Sequence, residues 1–221
     1  MKEVYRTSDK DIRESLYDFL ENEYGKVRIL DEKRTGKARA DIVMVTEDAL
    51  YGIEIKSDRD SYTRLEGQVR NYDMYYDRNI VVVGSSHAAH IEEHVPEYWG
   101  IIVAEAMETG SEPGDAIDFY VLRKPEINPL LKSENKITIL WRPELAHIQQ
   151  INGLYMYAAK SKQYVQRYIL DSVPEEILWK QVSEELFERD YTTIFDEINA
   201  YRTEHGHKKR RRRRKNKYNK A

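Results

Sequence analysis

The stretch ADIVMV-TEDA-LYGIEIK, residues 40–56, decides the fold of this chain. Two runs of β-forming residues, 40–45 and 50–56, flank a short polar segment, which is the pattern of a β-hairpin. If the turn centres on Glu47 and Asp48, the numbers of opposed residues add up to 95, and Asp41 lies opposite Glu54. Opposed side chains have Cβ atoms roughly 5 Å apart. Two carboxylates at that separation repel each other unless a cation lies between them.

Strand alternation adds a third chemical group to this pair. Glu54 and Lys56 are two residues apart and face the same side of the strand, whereas Ile53 and Ile55 face the other side, where they can pack in a core. Carboxylate oxygens are ligands that Mg²⁺ prefers. A lysine beside a metal-bound phosphate can position or activate water and offset charge in the transition state. The pattern therefore predicts a magnesium site that hydrolyses phosphate esters.

Each of these residues also has a simpler interpretation. Asp41 at the start of a strand could be a turn or cap residue, and Glu54 and Lys56 could form the solvated face of an edge strand. The apolar residues on either side favour a central hairpin instead.

The flanking sequence predicts an α/β fold with a mixed central sheet of four or five strands between helices. Apolar spacing predicts a helix over 11–24. Residues 31–37 are polar and contain a glycine, which indicates a loop. The run NIVVVG (79–84) suggests a strand that is buried on both faces. The remaining predictions are strands at 26–30, 99–105 and 118–124 and helices at 62–77 and 87–95.

The order helix, strand, Asp, strand, Glu-x-Lys, helix resembles the PD-(D/E)XK nuclease superfamily, whose core is restriction-endonuclease-like. Asp41 matches the family's metal-binding aspartate, although Ala40 stands where the motif name has proline, and Glu54-Ile55-Lys56 matches Glu-x-Lys. More narrowly, IEIKSDRDSYTRLEGQVRNYDMYYD with the segments KPEINP and ILWRPEL resembles a small bacterial and phage branch of nuclease-like proteins. The resemblance covers roughly residues 10–190.

The resemblance implies further site residues. Glu14 on the first helix would support the metal, and the backbone carbonyl of Ile55 would be another ligand. Gln68 on the helix after Glu-x-Lys would orient the lysine or the water. Arg64 and Tyr72 lie one turn from Gln68 on the same helical face, and Arg64 would contact nucleic acid. A surface role is the alternative for Glu14 and Gln68, and a packing or surface role is the alternative for Arg64 and Tyr72. The implied cofactor is Mg²⁺, with Mn²⁺ as a substitute.

The net charge of −3 hides an asymmetry between the body and the tail. The last 17 residues contain ten of the 36 basic residues and none of the 39 acidic ones, so the rest has a net charge of 26 − 39 = −13. A run of basic residues neutralises phosphates without reading sequence. We therefore predict that the tail attracts DNA, and the alternative is a generic polyanion-binding tail. The run comprises Lys208, Lys209, Arg210, Arg211, Arg212, Arg213, Arg214 and Lys215.

Three segments are expected: a nuclease-like core (1–130), a helical C-terminal extension (131–202) and a disordered polybasic tail (203–221). No apolar run approaches the length of a membrane span, and the N-terminus lacks the apolar region of a secretory signal. The absence of cysteine excludes disulfides and thiolate metal sites and is compatible with a cytoplasmic protein.

The sequence thus predicts a Mg²⁺-dependent DNA endonuclease acting in repair, phage or defence processes. The alternative is a catalytically inactive nuclease fold that binds DNA or recruits partners through its helical extension. A homodimer, the choice between DNA and RNA, the substrate's structure and its sequence preference stay open.

Overall fold

The computed structural model describes residues 5–35, 38–107 and 116–189, together with 200, 201 and 203. Its centre is one mixed sheet of six strands in the spatial order β1-β2-β3-β4-β5-β6, rather than the expected four or five. Because β3, β4 and β5 are parallel and the other neighbours antiparallel, the sheet is mixed, as predicted. The strands are β1 (Arg28–Thr35), β2 (Ala38–Val45), β3 (Leu50–Lys56), β4 (Arg78–Gly84), β5 (Gly100–Met107) and β6 (Ala116–Arg123).

The first strand is longer than predicted. Residues 31–35 were expected in a loop, yet they extend β1 and pair with β2 in the register Lys33↔Ala40 and Thr35↔Ala38. Since β1 is an edge strand, only one side of its backbone needs a partner strand, and a polar sequence is tolerated there. The turn itself, at residues 36 and 37, lies outside the described residues.

Helices cover both faces of the sheet. The first helix begins two residues before its predicted start and ends as predicted. The predicted helix over 62–77 is a 3-10 turn (Tyr62–Arg64) followed by a helix that ends at Tyr72. In place of a helix over 87–95 there are two 3-10 turns, Ser85–His87 and Ile91–Glu93. The helices are α1 (Asp9–Tyr24), α2 (Leu65–Tyr72), α3 (Ser133–Lys136), α4 (Arg142–Ile151), α5 (Lys162–Ser172) and α6 (Glu175–Glu188).

The two faces of the sheet belong to two apolar clusters. On one face, Ile12, Leu16 and Leu20 of α1 pack on residues such as Ile42 and Ile53. On the other face, α2 and α4–α6 share a single cluster with β2, β4 and β5. The predicted boundary near residue 130 falls between β6 and α3, and the extension beyond it covers the second face of the sheet.

One buried ion pair joins this extension to the sheet, and another lies within the extension. Lys136 is 2% exposed, and its Nζ lies 2.7 Å from Asp77 at the start of β4. Arg189 is 3% exposed and donates two hydrogen bonds, of 2.6 and 2.7 Å, to Glu144 at the start of α4. Each pair must stay intact, because a buried charge without its partner is strongly destabilising.

Among the described residues, no helix is both long enough and apolar enough to cross a membrane.

Candidate functional site

A polar cleft lies where β3 ends beside the first turns of α1 and α2. Six of the seven site residues that the sequence predicts within the described part of the chain line this cleft, and Glu14 is the exception. The lining residues are Asp9, Arg39, Asp41, Glu54, Ile55, Lys56, Asp60, Arg64 and Gln68.

The hairpin register places the two carboxylates as the sequence predicted. Ile42 pairs with Ile53, and the three pairs that follow obey the same sum of 95. One step further, Asp41 stands beside the chain of Glu54 and Ile55, and its Oδ2 accepts a hydrogen bond of 3.0 Å from the backbone N–H of Ile55. The Asp41 carboxylate thus accepts the Ile55 N–H at the point where the backbone hydrogen bonds between β2 and β3 end.

Glu54 is the centre of the cluster. It is 1% exposed, and its Oε1 accepts hydrogen bonds from Lys56 Nζ, at 2.6 Å, and from Gln68 Nε2. Its Oε2 accepts a hydrogen bond of 2.8 Å from the Tyr72 hydroxyl. Lys56 is itself only 3% exposed. Because both residues are buried, they do not form the solvated face of an edge strand, which was the alternative interpretation.

The hydroxyl oxygen of Tyr72 bridges β2 and β3. Its hydroxyl donates to Glu54 and accepts a hydrogen bond of 3.2 Å from the backbone N–H of Asp41. The ring reaches this position because Gly52 has no side chain: a Cβ there would lie 2.6 Å from the Tyr72 ring. The sequence placed Tyr72 on the right helical face but gave no sign that its hydroxyl reaches both strands.

Burial makes both carboxylates reluctant to ionise. It raises the pKa of Glu54, the nearby charge of Asp41 raises it further, and Lys56 works in the opposite direction. Burial also raises the pKa of Asp41, against the lowering effects of the Ile55 N–H and the Arg13 charge. Two buried carboxylates that resist ionisation together are suited to a proton or a cation between them.

The structure does not bring Glu14 to the cleft. Its side chain is 72% exposed, and its ion-pair partner is Lys10 at 3.8 Å. The reason is helical phase: Glu14 lies two residues, about 200° of rotation, from Ile12, which points into the core. The apolar stripe of α1 therefore contained the signal that should have excluded Glu14.

Asp9, one residue into α1, is the acidic group of this helix that lines the cleft. Arg13 one turn later holds it through hydrogen bonds of 3.0 and 3.1 Å and also donates to the Asp41 carbonyl at 3.0 Å. Sequence reasoning missed both residues, although their i, i+4 spacing is that of a helical ion pair.

Asp58 fixes the loops around the cleft. Its Oδ2 accepts hydrogen bonds from the N–H and hydroxyl of Thr7, and its Oδ1 accepts the equivalent pair from Ser86, at 2.7–3.0 Å. Burial opposes ionisation of this carboxyl, but the four donors outweigh it and lower its pKa. The segment before α1 and the loops after β3 and β4 are therefore joined at one charged group.

Of the two predicted nucleic-acid contacts, only Arg64 lies within the described residues. Arg64 is exposed at the rim of the cleft, next to the start of α2. The basic run from Lys208 to Lys215 lies outside the described residues.

Four acidic residues line the cleft: Asp9, Asp41, Glu54 and Asp60. In the described part of the chain, no group of three or more His, Asp or Glu residues is arranged to hold a metal ion. Mg²⁺ commonly keeps several waters and binds through one or two carboxylates. Asp41 and Glu54 supply two carboxylates, which is within the number that Mg²⁺ uses.

Comparison with known proteins yields one family. No curated protein and no solved structure matches the chain. The sequence model of the family described as Bacteriophage P4 protein cII matches residues 2–210, which is nearly the whole chain. The phage association expected from the sequence thus has support at the level of the family. The chain belongs to the bacteriophage P4 protein cII family.

Proposed function

We propose that this chain is a Mg²⁺-dependent nuclease of the PD-(D/E)XK type that hydrolyses phosphodiester bonds in DNA. The observation that carries the proposal is the buried cluster in which Asp41, Glu54 and Lys56 meet at the end of a β-hairpin. The Lys56–Glu54 pair lines this polar cleft, whereas Lys136, which is equally buried and pairs with Asp77, lies outside it.

Asp41, Glu54 and the carbonyl of Ile55 would hold the ion. When bound, Mg²⁺ supplies polarisation of a phosphoryl oxygen and a lower pKa for a coordinated water. The side chains supply the rest. Lys56 brings a fixed positive charge to the cleft, where it offsets negative charge that develops on the phosphate.

Gln68 would orient the attacking water. Its Nε2 is committed to Glu54, whereas its Oε1 is buried and has no hydrogen-bond partner among the described residues. A buried acceptor of this kind calls for a donor that the protein alone does not provide. A water hydrogen-bonded to this oxygen would be held beside Glu54 and Lys56. The geometry therefore favours the water over the lysine as the group that Gln68 orients.

Substrate attraction would come from the polybasic tail and from Arg64 at the rim. The rest of the chain has a net charge of 26 − 39 = −13, which repels a polyanion at long range. Ten basic residues in the tail would offset this repulsion through counterion release.

Supercoiled plasmid tests the proposal, together with oligonucleotides that form duplexes, single strands, flaps and junctions. The wild type should cut in Mg²⁺ or Mn²⁺ and not in EDTA. Lys56→Ala is the direct test of the lysine, but loss of a buried partner costs about 3–5 kcal/mol of stability. Lys56→Met loses the same partner but keeps most of the side-chain volume and leaves no cavity, so it is the better variant. We expect it to slow cleavage by about 10²-fold or more.

Lys136→Met is the matched control. Lys136 is 2% exposed and lies 2.7 Å from the carboxylate of Asp77, so its burial and pairing resemble those of Lys56, but it does not line the cleft. Lys136→Met should lose a similar amount of stability, but under conditions in which it is folded it should remain as active as the wild type. Equal cleavage by the wild type and Lys56→Met would refute the mechanism. DNA binding without cleavage in any metal would favour the inactive accessory protein.

A further inference from the structure

The last strand of the sheet, β6, has apolar side chains that face water. Of the strands in the described part of the chain, β5 alone pairs with it. Three successive residues of β6, Tyr120, Val121 and Leu122, are 44%, 37% and 52% exposed. Met107 at the end of β5 is 41% exposed. An edge strand also presents backbone N–H and C=O groups that a further strand can pair with. These four residues and the outer backbone of β6 are here called the β6 edge.

The opposite edge of the sheet has a different character. The sequence of β1 contains four successive charged residues, from Asp31 to Arg34. Charge on an edge strand opposes pairing with another chain. By contrast, β6 contains only Asp118 and Arg123 as charged residues and has no glycine or proline, a composition that favours strand pairing wherever it is left open. The molecule is therefore expected to pair through β6 and not through β1.

Most of β6 is regular enough to accept a neighbour. From Ala116 to Val121 it pairs with β5 in one continuous register. The register shifts at Leu122, because Ile101 pairs with Arg123 whereas Ile102 pairs with Val121. A bulge can protect an edge when it twists the strand away from neighbours. This one lies near the end of β6, so six residues before it remain available for pairing.

Carboxylates are concentrated at the start of β6. Asp118 pairs directly with Glu105 of β5, and both residues are exposed. Like charges that face each other across two strands are destabilising. A cation brought to this end of the edge would relieve the repulsion.

Cations lie at the other end of the strand. Lys124 follows β6 directly, and its side chain is 82% exposed, with Glu23 at 3.6 Å. The Arg123 guanidinium donates hydrogen bonds only to backbone carbonyls, those of Trp99 at 2.7 Å and Pro96 at 2.9 Å. Glu126 comes after the strand, where the chain turns and its N–H bonds to the carbonyl of Tyr98. The strand thus has an acidic start and a basic finish.

We propose that two copies of this chain pair through the β6 edge, antiparallel and about a twofold axis, so that their sheets become continuous. Antiparallel pairing brings the Glu105 and Asp118 carboxylates of each copy towards Arg123 and Lys124 of the other. Parallel pairing would place the two acidic ends together. A twofold contact uses the β6 edge of both copies and leaves the charged β1 strands outside, so assembly stops at two.

This inference goes beyond the proposed function, because the contact involves neither the cleft nor a metal ion. Light scattering after size-exclusion chromatography, with the full-length protein in EDTA, measures it without cleavage. The molar mass should rise with concentration towards twice the 26.3 kDa of one chain. A mass of one chain at every concentration at which the protein is soluble would overturn the proposal.

The double variant Tyr120→Lys/Leu122→Lys tests the apolar contact. Each substitution occurs twice in a twofold dimer, and like charges brought together in an interface are strongly unfavourable. The dissociation constant of the dimer should therefore rise by about 100-fold or more. Ile151→Lys/Ile177→Lys is the matched control, since both isoleucines are 48% exposed and lie on α4 and α6, outside the β6 edge. The control should dimerise like the wild type. Normal dimerisation of the first variant, or equal weakening in the control, would overturn the proposal.

Lys124→Glu tests the direction of pairing and lies outside the strand, so β6 itself is unchanged. Loss of two exposed ion pairs corresponds to about a 2- to 30-fold rise in the dissociation constant. The effect should fade at about 1 M salt, where exposed charges are screened. Lys10→Glu is its control, because the Lys10 side chain is 81% exposed and has a comparable partner, Glu14 at 3.8 Å. Equal affinities of the wild type and Lys124→Glu at low salt, or an equal loss in Lys10→Glu, would exclude the antiparallel contact.

Discussion

Tyr72→Phe removes a single oxygen from the centre of the candidate site. The hydroxyl makes a charge-assisted hydrogen bond of 2.8 Å to Glu54 Oε2, and such bonds contribute about 1.5–3 kcal/mol. It also accepts from the Asp41 N–H at 3.2 Å, and a buried donor left unpaired costs about 1–3 kcal/mol. Water can reach the half-buried Asp41, so we expect the variant to lose about 2–4 kcal/mol of unfolding free energy.

The same change should weaken metal binding. Without its hydroxyl donor, Glu54 is less firmly oriented, and loss of a group that holds a ligand in place typically costs about 10- to 100-fold in metal affinity or activity. Urea unfolding followed by circular dichroism measures the first effect. The Mn²⁺ or Mg²⁺ concentration that gives half-maximal cleavage measures the second, under conditions in which the variant is folded.

Tyr98→Phe is the matched control for this experiment. The Tyr98 hydroxyl also donates a 2.8 Å hydrogen bond to a buried carboxylate, that of Asp73, outside the cleft. Asp73 keeps its other donors, Trp99 and Asn79, so the stability loss should be about 1 kcal/mol. Its metal midpoint should not move. An unchanged metal midpoint in Tyr72→Phe, or an equal shift in Tyr98→Phe, would show that the hydroxyl does not position Glu54 for a cation.

Two further changes test the electrostatics and the C-terminal helices. Asp41→Asn should abolish cleavage and raise the melting temperature at pH 7 in EDTA. Burial raises the pKa of Asp41 in the folded state, so the wild type loses stability as the pH rises from the unfolded-state pKa to the folded-state pKa. Asparagine does not ionise, so the variant does not lose this stability. The difference should vanish in thermal melts near pH 4, and a gap that persists there would contradict the explanation. Glu144→Ala should lower the unfolding free energy by about 3–5 kcal/mol, since it strands the buried Arg189 guanidinium. Urea unfolding of Glu144→Ala, Arg189→Met and the double variant measures the coupling, and additive losses would mean that the two residues act independently.

The hairpin could be predicted because its information is local. Alternation of apolar residues and a short polar turn fix the register, and the register brings Asp41 to Glu54 and Ile55. By contrast, the length of β1 was underestimated because the strand is polar beyond Leu30. An edge strand is defined by its neighbour rather than by its own composition.

The rest of the site depends on tertiary contacts, and only the exclusion of Glu14 follows from a spacing rule, that of the apolar stripe of α1. Asp9 rather than Glu14 reaches the cleft, as the phase of α1 against the sheet dictates. The role of Tyr72 needs both the missing side chain at Gly52 and the height of α2 above the sheet. Neither can be obtained from the motif Glu-x-Lys, which specifies residue types along one strand only.

The apolar cluster that joins the sheet to α4, α5 and α6 has a consequence for synthesis on the ribosome. One face of the sheet, with Tyr72 among its buried residues, is covered by helices that end at Glu188. At about 5–20 residues per second, roughly 3–12 s pass between translation of residue 130 and that of residue 188. During that interval the part of this face that α4, α5 and α6 cover is exposed to water, whereas Tyr72 already has its contacts with Tyr76 and Trp99. The nascent chain is thus expected to form its cleft before the last helices bury the remaining apolar surface.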